Sequence, residues 1–410
     1  MRILIKLFIS ILLTVALVII SAKLVLRGQA TELHLAQVQP PIQPMTPKAA
    51  IERLFTSKQI QTDWFTPSFL AHIPVSPQQV IESLKTALGD YQGVQKIDED
   101  YLVIFERGSV PTKIVLDASG RISGLLFESP RAKVSSLNEA IAQFKTLPGK
   151  VSLLVLEDNQ ERAALNAATP LAVGSAFKLA VLEALKGQIA SGKRSWSDIV
   201  ELQPHWKSLP SGILQNWPDG SRLTVETLAA LMISQSDNTA TDSLIHWVGK
   251  AAIEAVALRN RPFLTTRELF LLKSVQNEAL LKRYRAGNEA QRRIVLDEVN
   301  QLPPPELTAF GSSPNALDVE WFFTSQELCS LIENVADLPL MSINPGVASA
   351  KDWQRVAFKG GSEPGVLNLT TWLLGKTGKR FCVAATWNNG ESLDEAGFMS
   401  LYGGVLEILK

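Results

Sequence analysis

The chain has 410 residues, 46% hydrophobic and 20% charged, which is typical of a globular protein long enough for two domains. Basic and acidic residues both number 40, so the basic excess typical of nucleic-acid-binding proteins is absent. The two cysteines, Cys329 and Cys382, are too few for a cysteine-based metal site. They are able to form one disulfide, but we expect two separate buried thiols.

The N-terminal segment 1–27 predicts a secretory signal peptide or a membrane anchor. Arg2 and Lys6 precede an apolar run over residues 7–20, and further basic residues follow it. We therefore expect an exported protein, either secreted after cleavage or held at the membrane by an N-terminal helix. Residues 28–45 are rich in Gln and Pro without periodicity, which predicts a linker.

Residues 46–130 predict a small α+β domain. Thr46 before Pro47 is a helix start, and Ser76 with Gln79 forms the pattern of a capping box at a second helix. Three short strand-like runs follow, and "LDASGRI" between two of them predicts a hairpin turn. No cluster of carboxylates, histidines or cysteines is visible here, so we expect binding, spacing or packing rather than chemistry.

Residues 131–410 predict a larger α+β domain with strands at both ends and helices between them. "VSLLVLED" is a strand, helical runs extend to about residue 337, and three strands and a C-terminal helix close the chain: "QRVAFKGG", "GVLNLTTWLLG", "RFCVAATWN" and "EAGFMSLYGGVLEILK". We expect the two ends to pair into one antiparallel sheet on which the helical middle packs.

The stretch "PLAVGSAFKLAVLEALKGQI" places Ser175 three residues before Lys178 at the start of an apolar helix. Gly174 permits a sharp turn into that helix, and the helix dipole favours an oxyanion near Ser175. A desolvated Lys178 has a lowered pKa and can accept the serine proton. The alternative is a helix-capping serine beside an ordinary surface lysine.

The stretch "LTVETLAALMISQSDNTATDSLI" predicts a polar turn between two helices, in which Ser236 is able to relay a proton and Asn238 to hold a substrate amide. We expect Asp237 to cap the second helix. In "VAFKGGSEPGVLNLTTW", Lys359 offers a positive charge to a carboxylate or a serine. Gly360 and Gly361 allow a substrate to approach the strand backbone closely.

The ordered patterns Ser-x-x-Lys, Ser-Asp-Asn and Lys-x-Gly before a strand resemble the penicillin-recognising serine hydrolases, above all class A β-lactamases. The resemblance covers residues 131–410 and implies a β-lactamase/DD-peptidase-like fold, an antiparallel sheet with packed helices and a helical subdomain. The preceding small domain resembles the cystatin and steroid-isomerase folds of an exported bacterial subgroup.

The resemblance implies four catalytic residues. Ser175 is the acylated nucleophile, Lys178 the base or proton shuttle, and Ser236 the donor to the leaving group. Lys359 supports Ser236 and the substrate carboxylate.

Substrate binding is implied for three further residues. Asn238 orients the substrate, Gly361 borders it, and Ser362 contributes its N–H, with that of Ser175, to an oxyanion hole.

The sequence departs from the class A pattern in two respects. No E-x-x-L-N string, which supplies the deacylating glutamate, occurs between Asn238 and Lys359, and Glu268 is better explained as a capping-box residue after Thr265. Gly360 replaces the usual hydroxyl residue, and no arginine follows on the next strand. The string "KTG" at 376–378 matches the family pattern better than Lys359 but is predicted to be a hairpin turn.

We therefore predict a serine hydrolase acting on a β-lactam or a related amide or ester, with a D-Ala-D-Ala-type peptidase or esterase as the first alternative. The second alternative is a non-catalytic penicillin-binding sensor. The partner is a small molecule or a cell-wall peptide, not nucleic acid, and no cofactor or metal is implied. The four histidines do not form a Ser-His-Asp arrangement, and Trp206 and Trp217 are expected in the core.

Overall fold

The structure, a computed structural model, describes residues 45–306 and 313–410. The predicted signal or anchor, 1–27, and the linker up to residue 44 lie outside the described residues. No helix within the two described ranges is long and apolar enough to cross a membrane.

The chain divides into two compact units, one ending at Pro130 and the other beginning at Arg131. The first unit has helices near its start and then an antiparallel meander of four strands in the order β1-β2-β3-β4. Its elements are α1 (Pro47–Thr56), α2 (Pro67–His72), α3 (Pro77–Leu88), β1 (Tyr91–Ile97), β2 (Asp100–Phe105), β3 (Gly108–Leu116) and β4 (Ile122–Phe127). The predicted caps at Thr46 and Ser76 are present, and the predicted turn joins β3 to β4. The likeness to cystatin or steroid-isomerase folds stays a prediction.

The second unit is built on a five-stranded antiparallel sheet in the order β12-β13-β14-β6-β7. Its strands are β5 (Arg131–Ala132), β6 (Lys150–Glu157), β7 (Gln160–Leu165), β8 (Leu171–Ala172), β9 (Ile199–Glu201), β10 (Arg222–Thr224), β11 (Phe322–Phe323), β12 (Arg355–Glu363), β13 (Val366–Leu374) and β14 (Arg380–Asn388). Strand β6 pairs with β14, so the two ends of this unit meet in one sheet as predicted.

The helices of this unit are α4 (Leu137–Phe144), α5 (Lys178–Ala190), α6 (Val225–Ser234), α7 (Asn238–Val248), α8 (Lys250–Val256), α9 (Thr266–Lys273), α10 (Glu278–Ala286), α11 (Glu289–Val299), α12 (Ser325–Val335) and α13 (Glu395–Ile408). Apolar residues of α4 and α13 pack on one face of the sheet, around Phe144, Phe398 and Tyr402. The other face packs against the helical middle, with α5 largely buried at its centre. The predicted α+β fold class is confirmed.

The expectation of two separate thiols is wrong, because Cys329 and Cys382 form a disulfide with a Cα–Cα distance of 5.8 Å. The bond joins α12 to β14 inside the core on the helical face of the sheet. Sequence spacing could not show this pairing, because it depends on α12 packing directly on β14.

Candidate functional site

Ser175 lies in a single 3₁₀ turn, Gly174–Phe177, that leads into α5. Two contacts with Trp321 fix this turn, since Val173 donates its N–H to the Trp321 carbonyl at 3.0 Å and the Phe177 ring stacks on the indole. Gly174 has φ +49°, a conformation that favours glycine. The N-cap residue of α5 is Phe177, so Ser175 is not a helix cap.

Lys178 is completely buried, so the alternative of a surface lysine is also wrong. Its Nζ donates to Ser236 O at 2.6 Å and Asn238 Oδ1 at 2.7 Å, and lies 3.0 Å from Ser236 Oγ. Burial lowers the pKa of Lys178 well below its usual value, and the nearby charge of Lys359 lowers it further. A lowered pKa favours the neutral amine, which is the form that accepts a proton.

The turn between α6 and α7 holds Ser236 with φ +55°, which presents both its carbonyl and its hydroxyl to Lys178. Ser211 donates its hydroxyl to the Ser236 carbonyl at 2.7 Å. Asp237 caps α7, as predicted, through the N–H of Ala240, and also accepts two N–H groups from the 213–214 backbone. These contacts make the turn rigid.

Asn238 is buried with its amide orientation fixed at both ends. Its Nδ2 donates to Leu209 O at 3.0 Å, and its Oδ1 accepts from Lys178. The amide therefore positions Lys178 in this structure, and an interaction with substrate stays a prediction.

Lys359 reaches the same hydroxyl as Lys178, with its Nζ 3.1 Å from Ser236 Oγ and 2.5 Å from Gly360 O. Burial lowers the pKa of Lys359 to about 7. The Ser236 hydroxyl thus has two lysine nitrogens, each within hydrogen-bond distance. A hydroxyl can donate to one and accept from the other, which is the arrangement a proton relay needs.

The strand β12 lies directly against the Ser175 turn. A methyl group on Gly361 would collide with Val173 O and Ser175 N, and one on Gly174 would lie 3.2 Å from the Ser362 nitrogen. The backbone nitrogens of Ser175 and Ser362 therefore border one narrow space. This closeness is what two N–H donors of an oxyanion hole require.

Residues 133–289 match the model of the β-lactamase enzyme family. The matched range includes Ser175, Lys178, Ser236 and Asn238 and ends before β12. No curated protein matches the chain.

Solved structures that are similar to this chain include a β-lactamase from Sphaerobacter thermophilus, at 21% identity and a TM-score of 0.48, over 67% of this chain and 96% of that one. A point mutant of PBP-A, solved as its acyl-enzyme complex with penicillin G, matches at 14% identity and a TM-score of 0.46, over 67% of this chain and 95% of that one. An ancestral class A β-lactamase matches at 17% identity and a TM-score of 0.46, over 67% of this chain and 99% of that one.

Glu268 forms contacts that do not include Ser175. It forms the predicted capping box with Thr265 and is bonded to Lys250 at 2.6 and 2.7 Å and to Asn300 at 2.9 Å. The string at 376–378 lies in the loop between β13 and β14, as predicted.

Three features of this region were missed or wrongly predicted from sequence. The hydrogen bond from Ser211 to the Ser236 turn had no signal beyond its place in the family-like segment "LPSGILQNW". Trp217, expected in the core, is 40% exposed, as is the nearby Ile213 at 44%. Glu363, at the end of β12, forms an ion pair with the buried Lys273, and no short sequence motif predicts this pair.

Proposed function

We propose that this protein is a serine hydrolase that forms an acyl-enzyme on Ser175 with a β-lactam or a related amide or ester. The observation that carries the proposal is the Ser236 hydroxyl held by both Lys178 and Lys359, beside the Ser175 turn. The family match over residues 133–289 supports the same assignment.

In the acylation step, Ser175 Oγ attacks the substrate carbonyl carbon while neutral Lys178 accepts the hydroxyl proton. The carbonyl π bond opens, and the resulting oxyanion is stabilised by the N–H groups of Ser175 and Ser362. The intermediate collapses by cleaving the carbonyl bond to the leaving nitrogen or oxygen. Ser236 gives its proton to the leaving group and recovers one from Lys178, so Lys178 returns to its neutral form.

Protonated Lys359 is proposed to bind a substrate carboxylate and to keep the Ser236 hydroxyl oriented. With glycine at position 360, the charge of Lys359 takes a larger share of carboxylate binding than in proteins that have a hydroxyl there.

A slowly deacylating enzyme, a D-Ala-D-Ala-type peptidase or esterase, is the second candidate. The observation that favours it is the engagement of Glu268 in a helix cap and in bonds to Lys250 and Asn300. A non-catalytic sensor would show the same slow deacylation, with the acyl-enzyme as its final state.

Export is proposed on two grounds. Segment 1–27 has the pattern of a signal or anchor, and the Cys329–Cys382 disulfide is of a kind that persists in oxidising compartments. The proposed partner is a small molecule or cell-wall peptide outside the cytoplasm.

The test is intact-mass spectrometry of the full-length protein mixed with benzylpenicillin and sampled over time, beside Ser175→Ala. We expect an adduct of the penicillin mass on wild type and none on the variant. A transient adduct with penicillin consumed supports a β-lactamase, whereas a persistent adduct supports the slowly deacylating candidate. Equal labelling of Ser175→Ala, or failure of wild type to react with penicillin and with activated esters, would overturn the proposal.

A further inference from the structure

A second buried ionic group lies in the same unit and takes no part in the relay described above. Lys273 Nζ is bonded to Glu320 Oε1 and, at 2.6 Å, to Glu363 Oε1. The side chains of Lys273, Glu320 and Glu363 are 6%, 0% and 17% exposed. We call these three residues the ionic cluster.

The ionic cluster joins three segments, two of which contact the Ser175 turn. Lys273 ends α9, and Glu320 directly precedes Trp321, which holds the turn through Val173 and Phe177. Glu363 ends β12 directly after Ser362.

Side chains alternate along a strand, so Glu363 points to the same side of β12 as Gly361. This is the side that lies against Ser175 N. The cluster therefore anchors the end of β12 that carries the second proposed oxyanion donor.

The charges of the ionic cluster do not balance if every group is ionised, since two carboxylates surround one ammonium. Glu320 Oε2 is buried and has no hydrogen-bond partner among the described residues. A buried carboxylate oxygen without a partner is costly, which favours the protonated acid. Burial raises the pKa of Glu320 well above its usual value, and the nearby charge of Glu363 raises it further.

Lys273 keeps its positive charge in this arrangement. Burial alone would lower the pKa of Lys273, but the two carboxyl groups outweigh it and the pKa is raised. Asp318 lies near the ionic cluster and is paired with Arg285 at 2.6 and 2.7 Å. The turn 174–177 contributes no ionisable side chain. The residues between the two described ranges, 307–312, also have none.

We propose that Lys273, Glu320 and Glu363 are positioning residues that hold the Ser362 end of β12 against the Ser175 turn, and that they do so with one proton retained on Glu320. The inference rests on the proposed acyl-enzyme function. Loss of this proton leaves a net negative charge beside the oxyanion site, which repels the negative charge that develops during acylation.

Three variants test the positioning role through the acylation rate constant and the noncovalent dissociation constant of benzylpenicillin. We expect Lys273→Met to lower the rate constant by about tenfold with a smaller change in binding, because two facing carboxyl groups then lack their cation. Glu320→Gln keeps the shape of the protonated acid, and we expect a rate within about threefold of wild type at pH 7. The Lys273→Met/Glu320→Gln double variant has the same net charge as Lys273→Met with its protonated Glu320, so we expect it to acylate at the rate of Lys273→Met.

The matched control is Glu298→Gln, which removes an exposed carboxylate paired with Arg283 and is expected to leave both constants unchanged. The positioning role is contradicted if Lys273→Met acylates like wild type, or if its loss appears in the dissociation constant and not in the acylation rate constant.

The proton on Glu320 has its own readout, the free energy of unfolding as a function of pH, which requires no substrate. Because the folded protein holds this proton above the ordinary glutamate pKa, the proton contributes stability that is lost as pH rises from about 4 towards the raised pKa of Glu320. Glu320→Gln should lose less stability than wild type over this range, with the remaining loss coming from groups such as Asp242, whose pKa burial raises to about 7, and Glu298→Gln should lose as much as wild type. Equal pH dependence of wild type and Glu320→Gln would overturn the proton on Glu320. If wild type is not acylated at all, the proposed function fails, while this measurement still decides on the proton.

Discussion

At the residue scale, the site contains two buried lysines whose amines both lie within hydrogen-bond distance of the Ser236 hydroxyl. Burial lowers the pKa of both, and the charge of Lys359 lowers that of Lys178 further. In the proposed mechanism, Lys178 is the neutral proton acceptor and Lys359, when protonated, carries the positive charge that binds the substrate carboxylate.

This division predicts a pH dependence of substrate binding. Above the Lys359 pKa of about 7 the amine loses its charge, so the noncovalent dissociation constant of a carboxylate-bearing penicillin should rise by up to about tenfold per pH unit. An uncharged ester that acylates Ser175 should show no such rise. Pre-steady-state acylation measured from pH 6 to pH 9 gives the noncovalent dissociation constant and the acylation rate constant for each substrate.

The matched control for this prediction is Lys379→Met, which removes an exposed lysine paired with Glu157 and should retain the pH dependence. Lys359→Met should abolish it. If penicillin and the uncharged ester respond equally to pH, or if the response survives in Lys359→Met, the anchoring charge lies elsewhere.

At the element scale, the close approach of β12 to the Ser175 turn makes Gly361 sensitive to any side chain. A methyl group there would collide with backbone atoms, Val173 O and Ser175 N, which cannot move aside without separating the strand from the turn. We expect Gly361→Ala to slow acylation by about 100-fold, since the two oxyanion donors no longer converge. The rate of adduct formation by intact mass measures this.

Gly187→Ala is the control, because it places the same methyl group on α5 where, among the described residues, no atom outside the neighbouring residues and the helix's own backbone lies within 4 Å. It should acylate at the wild-type rate and be slightly more stable, as alanine is the better helix former. Wild-type acylation by Gly361→Ala would mean that β12 is not held against the turn.

The elements could be predicted from sequence where the signal was local. The caps at Thr46, Ser76 and Thr265 and the hairpin between β13 and β14 each depend on a few neighbouring residues. The pairing of β14 with β6 followed from apolar strand patterns at both ends of the domain.

The candidate site could be predicted only as a set of residue types. Its three short motifs identified Lys178 and Ser236, but not that Lys178 would bond Ser236 and Asn238. That contact depends on a positive φ at Ser236 and on how α5 packs against the turn before α7. The ionic cluster at Glu363 draws on three segments far apart in the chain, so no local pattern could reveal it.

At the scale of the whole molecule, the sheet of the second unit lies between two apolar cores, and the disulfide crosses only one of them. Cys329 and Cys382 are both buried on the helical face, whereas α4 and α13 cover the other face without such a link. Lys359 and Ser362 lie on β12, which is separated from β14 by β13, and Ser175 and Ser236 lie in turns. The disulfide is therefore expected to affect stability more than chemistry.

Reduction of this disulfide should lower the free energy of unfolding by about 4 kcal/mol, because the bond closes a 53-residue separation in the unfolded chain. Urea unfolding of the full-length protein with and without dithiothreitol measures the change, and acylation of Ser175 in the reduced folded protein at 25 °C should proceed at the oxidised rate. The variant with both Cys329 and Cys382 replaced by alanine is the control, since dithiothreitol should not alter its stability. A reduced protein as stable as the oxidised one would show that packing of α12 on β14 suffices without the bond. Loss of acylation while the protein stays folded would instead show that the bond positions the site.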